Sequence, residues 1–513
     1  MNTNTIIWLV LINIIFFVVF CLATKKTKFF FLFYIGGTIY LYNLFPSYKT
    51  LIYFILPNFV LGAIISLLTK KKPLVDDIFD IKIITNQGER LLENFDRGVS
   101  IFGSSGSGKT QSAIYNFFEH FKKHDFAGCL YDYKNGELTE IIMGMFDNVE
   151  IIAPHDPSIS ARVNFIKPEL LNDEIDINEI AKVLIMNLKG NNDKGNFFDT
   201  NAEALFTGLI LKFKLDHPEY CTFPHILAFL TLNDFGGIRM VRTVDEDSGE
   251  EKIVRKWSDF KLLQDFLESN DRVRMQASAF LLGLNSENQT AGVISTLINA
   301  LRQIATPNFF WVFSGDDFDL AITKENNRKI VSVINDPSKE ISVTPLVASS
   351  IHSITKQMMI RHQKQAFLCI DEAPTIKLLN MARVPATMRS FNIATIYCAQ
   401  DVTQGYTQYG GVNQFKEILA NLSIQIFGKA NDPETAKFYE QYTEIIEQEQ
   451  VSVSRDGSGW MSSQKGINVS KREVRKYRQN DFQQLVSGQF VIVNNGLSEK
   501  IRFTYPDCRF RRK

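Results

Sequence analysis

The distribution of apolar residues changes abruptly near residue 74 of the 513-residue chain. Before that point, residues 6–23, 29–45 and 51–68 are almost wholly apolar, and the first stretch has the length that crosses ~30 Å of hydrocarbon as a helix. Lysine clusters follow the first and third stretches, and such clusters mark the cytoplasmic side of a membrane. This predicts a membrane anchor over residues 1–73 with three crossings and an outside N-terminus. The alternative is two crossings, with one stretch lying in the interface or left out of the bilayer.

Beyond residue 74, short apolar runs alternate with longer segments in which apolar residues recur at helical spacing. Continuous apolar runs are typical of strands that helices cover on both faces. Their alternation with helices predicts an α/β fold. The predicted strands are 99–102, 128–131, 149–153, 329–334, 366–370, 393–398, 423–427 and 490–493.

Residues 163–301 follow a different pattern, in which helical spacing dominates and strand signals are scarce. This pattern predicts a mainly helical subdomain inserted between two parts, 74–162 and 302–513, of the sheet-forming domain. The acidic segment 245–251 within it is expected to form an exposed loop. The clearest helical segments are 177–188, 202–213, 260–266 and 293–304.

A stretch rich in Gly and Ser separates residues 450–454 from residues 468–477 near the C-terminus. Two such flanks around a Gly-containing segment predict a long mobile hairpin or loop. The final residues, 509–513, are basic with one aromatic, and we expect them to form a solvated tail rather than a binding element.

Charge and cysteine usage narrow the classes of function. Lys plus Arg and Asp plus Glu both number 56, so the formal net charge is zero. That balance argues against a histone-type binder that uses its whole surface, although it permits a local basic stripe or pore. The six cysteines are widely scattered without a Cys-x-x-Cys pair, which is typical of buried thiols in a reducing compartment.

A glycine-rich motif lies between the predicted strand 99–102 and a predicted helix over 111–121. Its glycines let the backbone curl so that several N–H groups point at one phosphate chain, at the positive end of the helix. We expect Lys109 to reach the β and γ oxygens and Thr110 to hold Mg²⁺. The alternative, a Gly/Ser linker, needs neither the apolar run nor the lysine. The motif matches G-x-x-x-x-G-K-[ST] and reads Gly103-Ser104-Ser105-Gly106-Ser107-Gly108-Lys109-Thr110.

Two acids follow the predicted strand 366–370 directly. A nucleotide-hydrolysing site needs a carboxylate at the end of a buried strand for Mg²⁺ and a second group that polarises water. We assign Asp371 to the metal and Glu372 to the role of catalytic base. Solvated acids at a strand end are the alternative, but their pairing with Lys109 and Thr110 favours hydrolysis of ATP.

Two further residues are candidates for the same site. Gln400 ends the next predicted strand, where its amide would contact the γ-phosphate or position the attacking water; the alternative is a residue that satisfies loop backbone. Arg389 lies between these strands, and its guanidinium would cross to the phosphate of a neighbouring subunit. The alternative for Arg389 is an ordinary surface arginine.

The order of these motifs behind a membrane anchor resembles the type IV coupling proteins of conjugation and secretion, the TraD/TraG family. The resemblance covers most of the chain beyond residue 95. It departs from the family pattern in two places, since Asn135 adds a residue to Asp-x-Lys-Gly-Glu and Ala373-Pro374 stands where a Phe often follows the acid pair. The motifs that carry it are Gly103 to Thr110, Asp132-Tyr133-Lys134-Asn135-Gly136-Glu137, Asp371-Glu372 and Gln400.

The resemblance implies a RecA-like P-loop ATPase, hexameric when active, whose all-α domain helps recognise cargo. The expected protein is a multi-pass protein of the bacterial inner membrane with its ATPase domain in the cytoplasm. It would use ATP and Mg²⁺ to pass a relaxase–DNA complex or protein effectors to type IV secretion channel components. Two alternatives stay open: an FtsK-type DNA translocase, and a nucleotide-binding membrane adaptor without motor activity.

Overall fold

The computed structural model describes residues 77–188, 197–233, 235, 238–244, 251–257, 260–284, 286–455 and 465–504. The three predicted membrane crossings, most of the predicted loop 245–251 and the basic tail 509–513 lie outside these ranges. No helix within the described ranges is long and apolar enough to cross a membrane.

Strands and helices alternate through most of the described chain. The strands are β1 (Ile81–Thr85), β2 (Gly88–Leu92), β3 (Val99–Phe102), β4 (Ala127–Asp132), β5 (Val149–Ile152), β6 (Ile238–Val244), β7 (Glu251–Trp257), β8 (Ile330–Ile334), β9 (Ala366–Ile370), β10 (Ile393–Ala399), β11 (Ile424–Phe427), β12 (Ile445–Arg455), β13 (Lys465–Arg475), β14 (Gln489–Asn494) and β15 (Leu497–Arg502). The helices are α1 (Tyr115–Lys123), α2 (Glu137–Met145), α3 (Glu174–Leu188), α4 (Phe197–Asp216), α5 (Phe223–Leu232), α6 (Lys261–Glu268), α7 (Asp271–Gln276), α8 (Ser278–Gly283), α9 (Glu287–Arg302), α10 (Pro307–Phe313), α11 (Glu340–Met358), α12 (Val384–Arg389), α13 (Val402–Tyr409), α14 (Val412–Ala420), α15 (Pro433–Tyr442) and α16 (Gln479–Gln483).

The central sheet has nine strands in the order β15-β14-β11-β3-β10-β9-β4-β8-β5. Neighbours from β11 to β5 pair in parallel, whereas β14 and β15 are antiparallel to theirs. All eight strands predicted from the sequence belong to this sheet, each within one residue of its predicted ends. The parallel strands therefore present their carboxyl ends at one edge, and the prediction of an α/β fold is confirmed.

Helices cover both faces of the sheet, which explains why several of its strands read as continuous apolar runs. On one face, Val99 and Ile101 of β3 join an apolar cluster with Phe117 of α1. On the other face, Phe102 joins a second cluster that includes Tyr439 of α15. Because successive strand residues point to opposite faces, both faces of β3 exclude water.

The region between β5 and β8 is mainly helical. Helix α4 is its centre and packs against α3, α5, α6, α7, α8 and α9. The predicted segments 177–188, 202–213, 260–266 and 293–304 overlap α3, α4, α6 and α9, so they are confirmed as helical. Helix α11 packs against α3 and thereby connects these helices to the sheet.

The expectation that this region is poor in strands is wrong for β6 and β7. Within the described part of the chain these strands pair only with each other, with Ile238 opposite Trp257 and Val244 opposite Glu251. Charged residues such as Arg239, Arg242 and Lys252 interrupt their sequences, so no apolar run marks them. Glu251, predicted as the end of a loop, begins β7.

Strands at the margins of the fold were also not predicted from the sequence. β1, in a separate hairpin with β2, alternates between buried and exposed residues, and β15, at the sheet edge, buries only Ser498 and Ile501. One exposed face weakens the apolar signal of a short strand. The predicted C-terminal hairpin is confirmed, because β12 and β13 pair antiparallel from Ile445–Arg475 to Arg455–Lys465.

Candidate active site

Four neighbouring strands, β3, β10, β9 and β4, deliver the candidate residues to the carboxyl edge of the sheet. The glycine-rich loop follows β3, Gln400 follows β10, and the two acids follow β9. The order of these strands in the chain differs from their order in the sheet. β4 precedes β9 and β10 in the sequence, but in the sheet it lies on the far side of β9 from β10. The edge is thus assembled from segments almost 300 residues apart, roughly the separation of Gly103 and Gln400.

Backbone hydrogen bonds hold the glycine-rich loop against the rest of the sheet. Ser104 N donates to Lys429 O at 2.8 Å, and Gly488 N donates to Ser107 O at 2.9 Å. A Cβ atom added to Gly103 would lie 2.6 Å from Ser107 Oγ, so a side chain there would collide. The loop is therefore closely supported by the segments that flank β11 and precede β14.

The loop turns into a helix at Lys109 through two residues in the left-handed region, Gly106 at φ 75° and Gly108 at φ 91°. Lys109–Ile114 forms a π-helical turn that continues into α1. Lys109 is buried, donates to Gly103 O, and places Nζ 3.6 Å from Glu372 Oε1. The predicted phosphate-binding lysine thus lies beside the predicted base.

The two acids continue the line of β9 into the site. Asp371 N donates to Tyr131 O at 3.1 Å, and Asp371 and Glu372 are 1% and 2% exposed. Glu372 has φ 45°, a left-handed conformation that costs a non-glycine residue about 1–3 kcal/mol. Thr375 N and Oγ1 both donate to Glu372 O, at 2.9 and 2.7 Å, and stabilise this turn. Such strain is characteristic of sites where side-chain direction matters.

Gln400 lies beside Glu372, whereas its predicted contact with the γ-phosphate or the attacking water stays a prediction. Its Nε2 donates to Glu372 Oε1 at 3.2 Å, so the amide positions the carboxylate directly. Asp401, the next residue, accepts from Gln404 N at 2.9 Å and caps α13. The cap holds the backbone at the end of β10 and thereby holds Gln400 in the site.

Burial dominates the electrostatics of Asp371. It raises the pKa of this carboxyl to about 7, and the Lys134 ammonium opposes the shift while Glu372 adds to it. Both oxygens of Asp371 and Glu372 Oε2 accept no hydrogen bond from the described residues. Unsatisfied buried carboxylate oxygens are costly, so they favour a cation in this position.

The donor set fits Mg²⁺. This ion binds proteins through one or two carboxylates and completes its octahedral shell with phosphates and water. Asp371 offers two oxygens that accept no hydrogen bond from the described residues, and Thr110 is half-buried at the second position of the helix that follows the loop. Among the described residues there is no cluster of three or more His, Cys, Asp or Glu that would hold a metal without a phosphate.

Arg389 lies away from this edge within its own chain. It ends α12, just before β10 begins, and its Nε donates to Asp96 Oδ2 at 2.9 Å. β10 extends over roughly 20 Å between that position and Gln400. The side chain is 48% exposed, and its assignment to a neighbouring subunit's phosphate stays a prediction.

Lys134 reaches the site although sequence reasoning gave it no role. Its Nζ lies 3.5 Å from Glu372 Oε1 and 4.0 Å from Asp371 Oδ2. The signal available in the sequence is its place two residues after the end of β4, in the same relation to a strand end as Glu372 to β9. Only the pairing of β4 with β9 brings that position next to the acid pair.

Solved structures share this architecture. The unbound form of a bacterial conjugative coupling protein, TrwBdeltaN70, matches with a TM-score of 0.64 at 14% identity, covering 88% of this chain and 93% of that chain. The plasmid coupling protein TrwB in complex with the non-hydrolysable ATP analogue ADPNP gives 0.63 at 14%, covering 88% and 94%. TrwB with ADP and Mg²⁺ gives 0.59 at 13%, also covering 88% and 94%. These likenesses show that the chain has the RecA-like fold of these proteins.

The match to a protein-family model covers most of the chain. No curated protein matches the chain. The family model described as Type IV secretory system conjugative DNA transfer matches residues 63–479, which is well over half of the chain. With the RecA-like fold and the loop, acid pair and glutamine converging at one sheet edge, this match shows that the chain belongs to the type IV coupling protein family of conjugative DNA transfer.

Proposed function

We propose that the chain is a membrane-anchored ATPase that recruits DNA, nucleoprotein or protein substrates to a type IV secretion or conjugation channel and drives their transfer by ATP hydrolysis. The convergence of Lys109, Asp371, Glu372 and Gln400 at the carboxyl edge of the sheet carries this proposal. Membership of the conjugative DNA transfer family supports the kind of substrate.

Each residue has a role that follows from its position. The loop from Gly103 to Thr110 binds the phosphates through backbone N–H groups, and Lys109 contacts their terminal oxygens. Glu372 accepts a proton from the attacking water, and Gln400 holds Glu372 Oε1 in the required direction. Mg²⁺, held by Thr110 and Asp371, would neutralise phosphate charge during hydrolysis.

The wider assembly is part of the same proposal. The lysine clusters after two apolar stretches support a multi-pass anchor in the bacterial inner membrane, with the ATPase domain in the cytoplasm. We assign type IV channel components and a relaxase–DNA complex or protein effectors as partners, and a homo-hexamer as the active form. TrwB, described as a plasmid coupling protein and bound to ADPNP or to ADP and Mg²⁺, supports the choice of nucleotide and metal.

Two substitutions test the ATPase proposal. We expect Lys109→Ala to abolish transfer while the protein stays in the membrane fraction, because the phosphate contact is lost but the anchor is intact. We expect Glu372→Gln to retain ATP binding and lower kcat by at least about 100-fold, because the base is lost. Assays of transfer, nucleotide binding and phosphate release measure these effects.

The control is Lys122→Ala, which removes a lysine paired with Asp147 at 3.2 Å outside the site and leaves turnover unchanged. Undiminished transfer by Lys109→Ala would refute an ATP-driven role. Normal hydrolysis by Glu372→Gln would place the base elsewhere.

A further inference from the structure

Two lysines from different loops converge on one carboxylate oxygen. Lys109 Nζ lies 3.6 Å from Glu372 Oε1, and Lys134 Nζ lies 3.5 Å from the same atom. Lys134 Nζ also lies 4.0 Å from Asp371 Oδ2. A phosphate bound by Lys109 at this edge is therefore within reach of the second ammonium group, since a lysine stem is long and flexible.

The backbone that carries Lys134 is held by a buried acid. Asp132 Oδ1 accepts from Lys134 N at 3.1 Å, while Asp132 Oδ2 accepts from Thr139 N and Oγ1 at 2.8 and 2.7 Å. Gly136, at φ 98°, then turns the chain into α2. The loop is thus anchored, whereas the side chain of Lys134 is 34% exposed and has room to change its rotamer.

The charge of Lys134 matches a phosphate ligand. Its Nζ lies within ion-pair distance of three carboxylates, 3.5 Å from Glu372 Oε1, 3.9 Å from Glu137 Oε2 and 4.0 Å from Asp371 Oδ2, as expected of an ammonium group. A cation held by Asp371 would compete with Lys134 for that carboxylate and leave the ammonium available to a phosphate oxygen. The terminal phosphoryl group has three peripheral oxygens, and cationic groups that contact them stabilise its transfer.

We infer that Lys134 binds the terminal phosphate of ATP together with Lys109, an inference that rests on the proposed ATPase function. ADP lacks this phosphate, so Lys134 discriminates between the two nucleotides. The competing role, a counter-ion that only stabilises two buried acids, would not distinguish them.

The test compares nucleotide affinities of the full chain in detergent, with Mg²⁺ present. A non-hydrolysable ATP analogue and ADP are titrated into the wild type, Lys134→Met and Lys134→Arg. We expect Lys134→Met to weaken analogue binding about tenfold to 100-fold, the value of a charge-assisted hydrogen bond. Its ADP affinity changes less than about twofold. Lys134→Arg keeps the charge and retains most of the preference for the analogue.

Lys339→Met is the matched control. Lys339 follows β8, the neighbour of β4, at the same sheet edge, but it pairs with Asp336 at 3.7 Å. We expect its affinities for both ligands to equal those of the wild type. Lys134→Gln repeats the comparison with a polar side chain if the methionine variant does not fold.

Three results overturn the inference. Equal weakening of the analogue and ADP assigns Lys134 to the counter-ion role, and unchanged affinities remove it from the site. In both cases hydrolysis by the wild type leaves the proposed function standing. A wild-type chain that binds neither nucleotide overturns the proposed function and this inference together.

Discussion

Three of the four carboxylate oxygens of Asp371 and Glu372 accept no hydrogen bond from the part of the chain that the structure describes. Burying a carboxylate without partners is unfavourable by several kcal/mol, so positive groups must lie close to this pair. Lys109 and Lys134 provide them. At the scale of single residues, the site is thus a cluster of buried charges that fits a metal ion and a triphosphate.

His120 gives a pH prediction at the same scale. Burial lowers its pKa from 6.5 to about 4; the hydrogen bond with Ile78 O opposes this shift, and the charges of His124 and Lys123 add to it. The unfolded chain binds this proton more tightly than the folded chain does. Stability is therefore fully present above about pH 6.5 and falls as the pH drops towards about 4, by at most about 1.4 kcal/mol per pH unit.

Urea denaturation of the full chain between about pH 7 and about pH 5 measures this effect. His120→Gln keeps a donor for Ile78 O, which lies 2.8 Å from His120 Nε2, but cannot titrate. We expect the variant to lose less stability on acidification than the wild type. Equal losses in the two proteins would contradict the assignment to His120.

At the scale of elements, the packing of β4 against β9 depends on the absence of a side chain at Gly128. A Cβ atom on Gly128 of β4 would lie 2.3 Å from the ring of Phe367 in β9. That ring is fully buried and stacks on Phe121 of α1 with centroids 4.3 Å apart. The missing side chain on Gly128 therefore leaves room for the Phe367 ring against β4. β4 precedes Lys134, and β9 precedes the acid pair.

We expect Gly128→Ala to lower the free energy of unfolding by about 1–3 kcal/mol, because the trapped ring cannot move away. Chemical denaturation measures this loss. Gly283→Ala is the control, since its added Cβ would meet only Asn201 Oδ1, at 4.0 Å, at the end of α8. Equal stability of the Gly128 variant and the wild type would show that the packing adjusts.

Strands that are buried on both faces were predictable as elements, whereas half-exposed ones were not. β9 and β10 are wholly buried, so their sequences are apolar apart from Thr395. β1 alternates between buried and exposed residues, β15 buries only Ser498 and Ile501, and β6 and β7 form a two-stranded ribbon with charged positions. Such mixed patterns over five to seven residues resemble the pattern of a loop.

At the scale of the whole molecule, Arg389 bears on whether the site is shared between neighbouring subunits of an oligomer. It lies at the opposite end of β10 from Gln400 and is half-exposed, so its own chain's site does not use it. If it serves a neighbouring subunit, Arg389→Ala loses hydrolysis but keeps ATP binding. Glu372→Gln loses hydrolysis for a different reason.

Mixing these two inactive variants tests the assembly. We expect co-assembled chains to recover part of the wild-type phosphate release, because some interfaces combine an intact Glu372 with an intact Arg389 from the neighbour. Each variant alone, at the same total concentration, is the control. Activity that stays absent at every mixing ratio would argue against a shared site.

The sequence by itself determined the buried strands, the glycine-rich loop and the acids that follow β9, because each depends on residues that are neighbours in the chain. Only the tertiary structure decided the order β3-β10-β9-β4, which brings Gln400 and Lys134 to the same glutamate. The physical reason is that local periodicity records which faces are buried, whereas strand pairing depends on packing between segments hundreds of residues apart. Lys134 therefore lies beside the acid pair only because β4 pairs with β9.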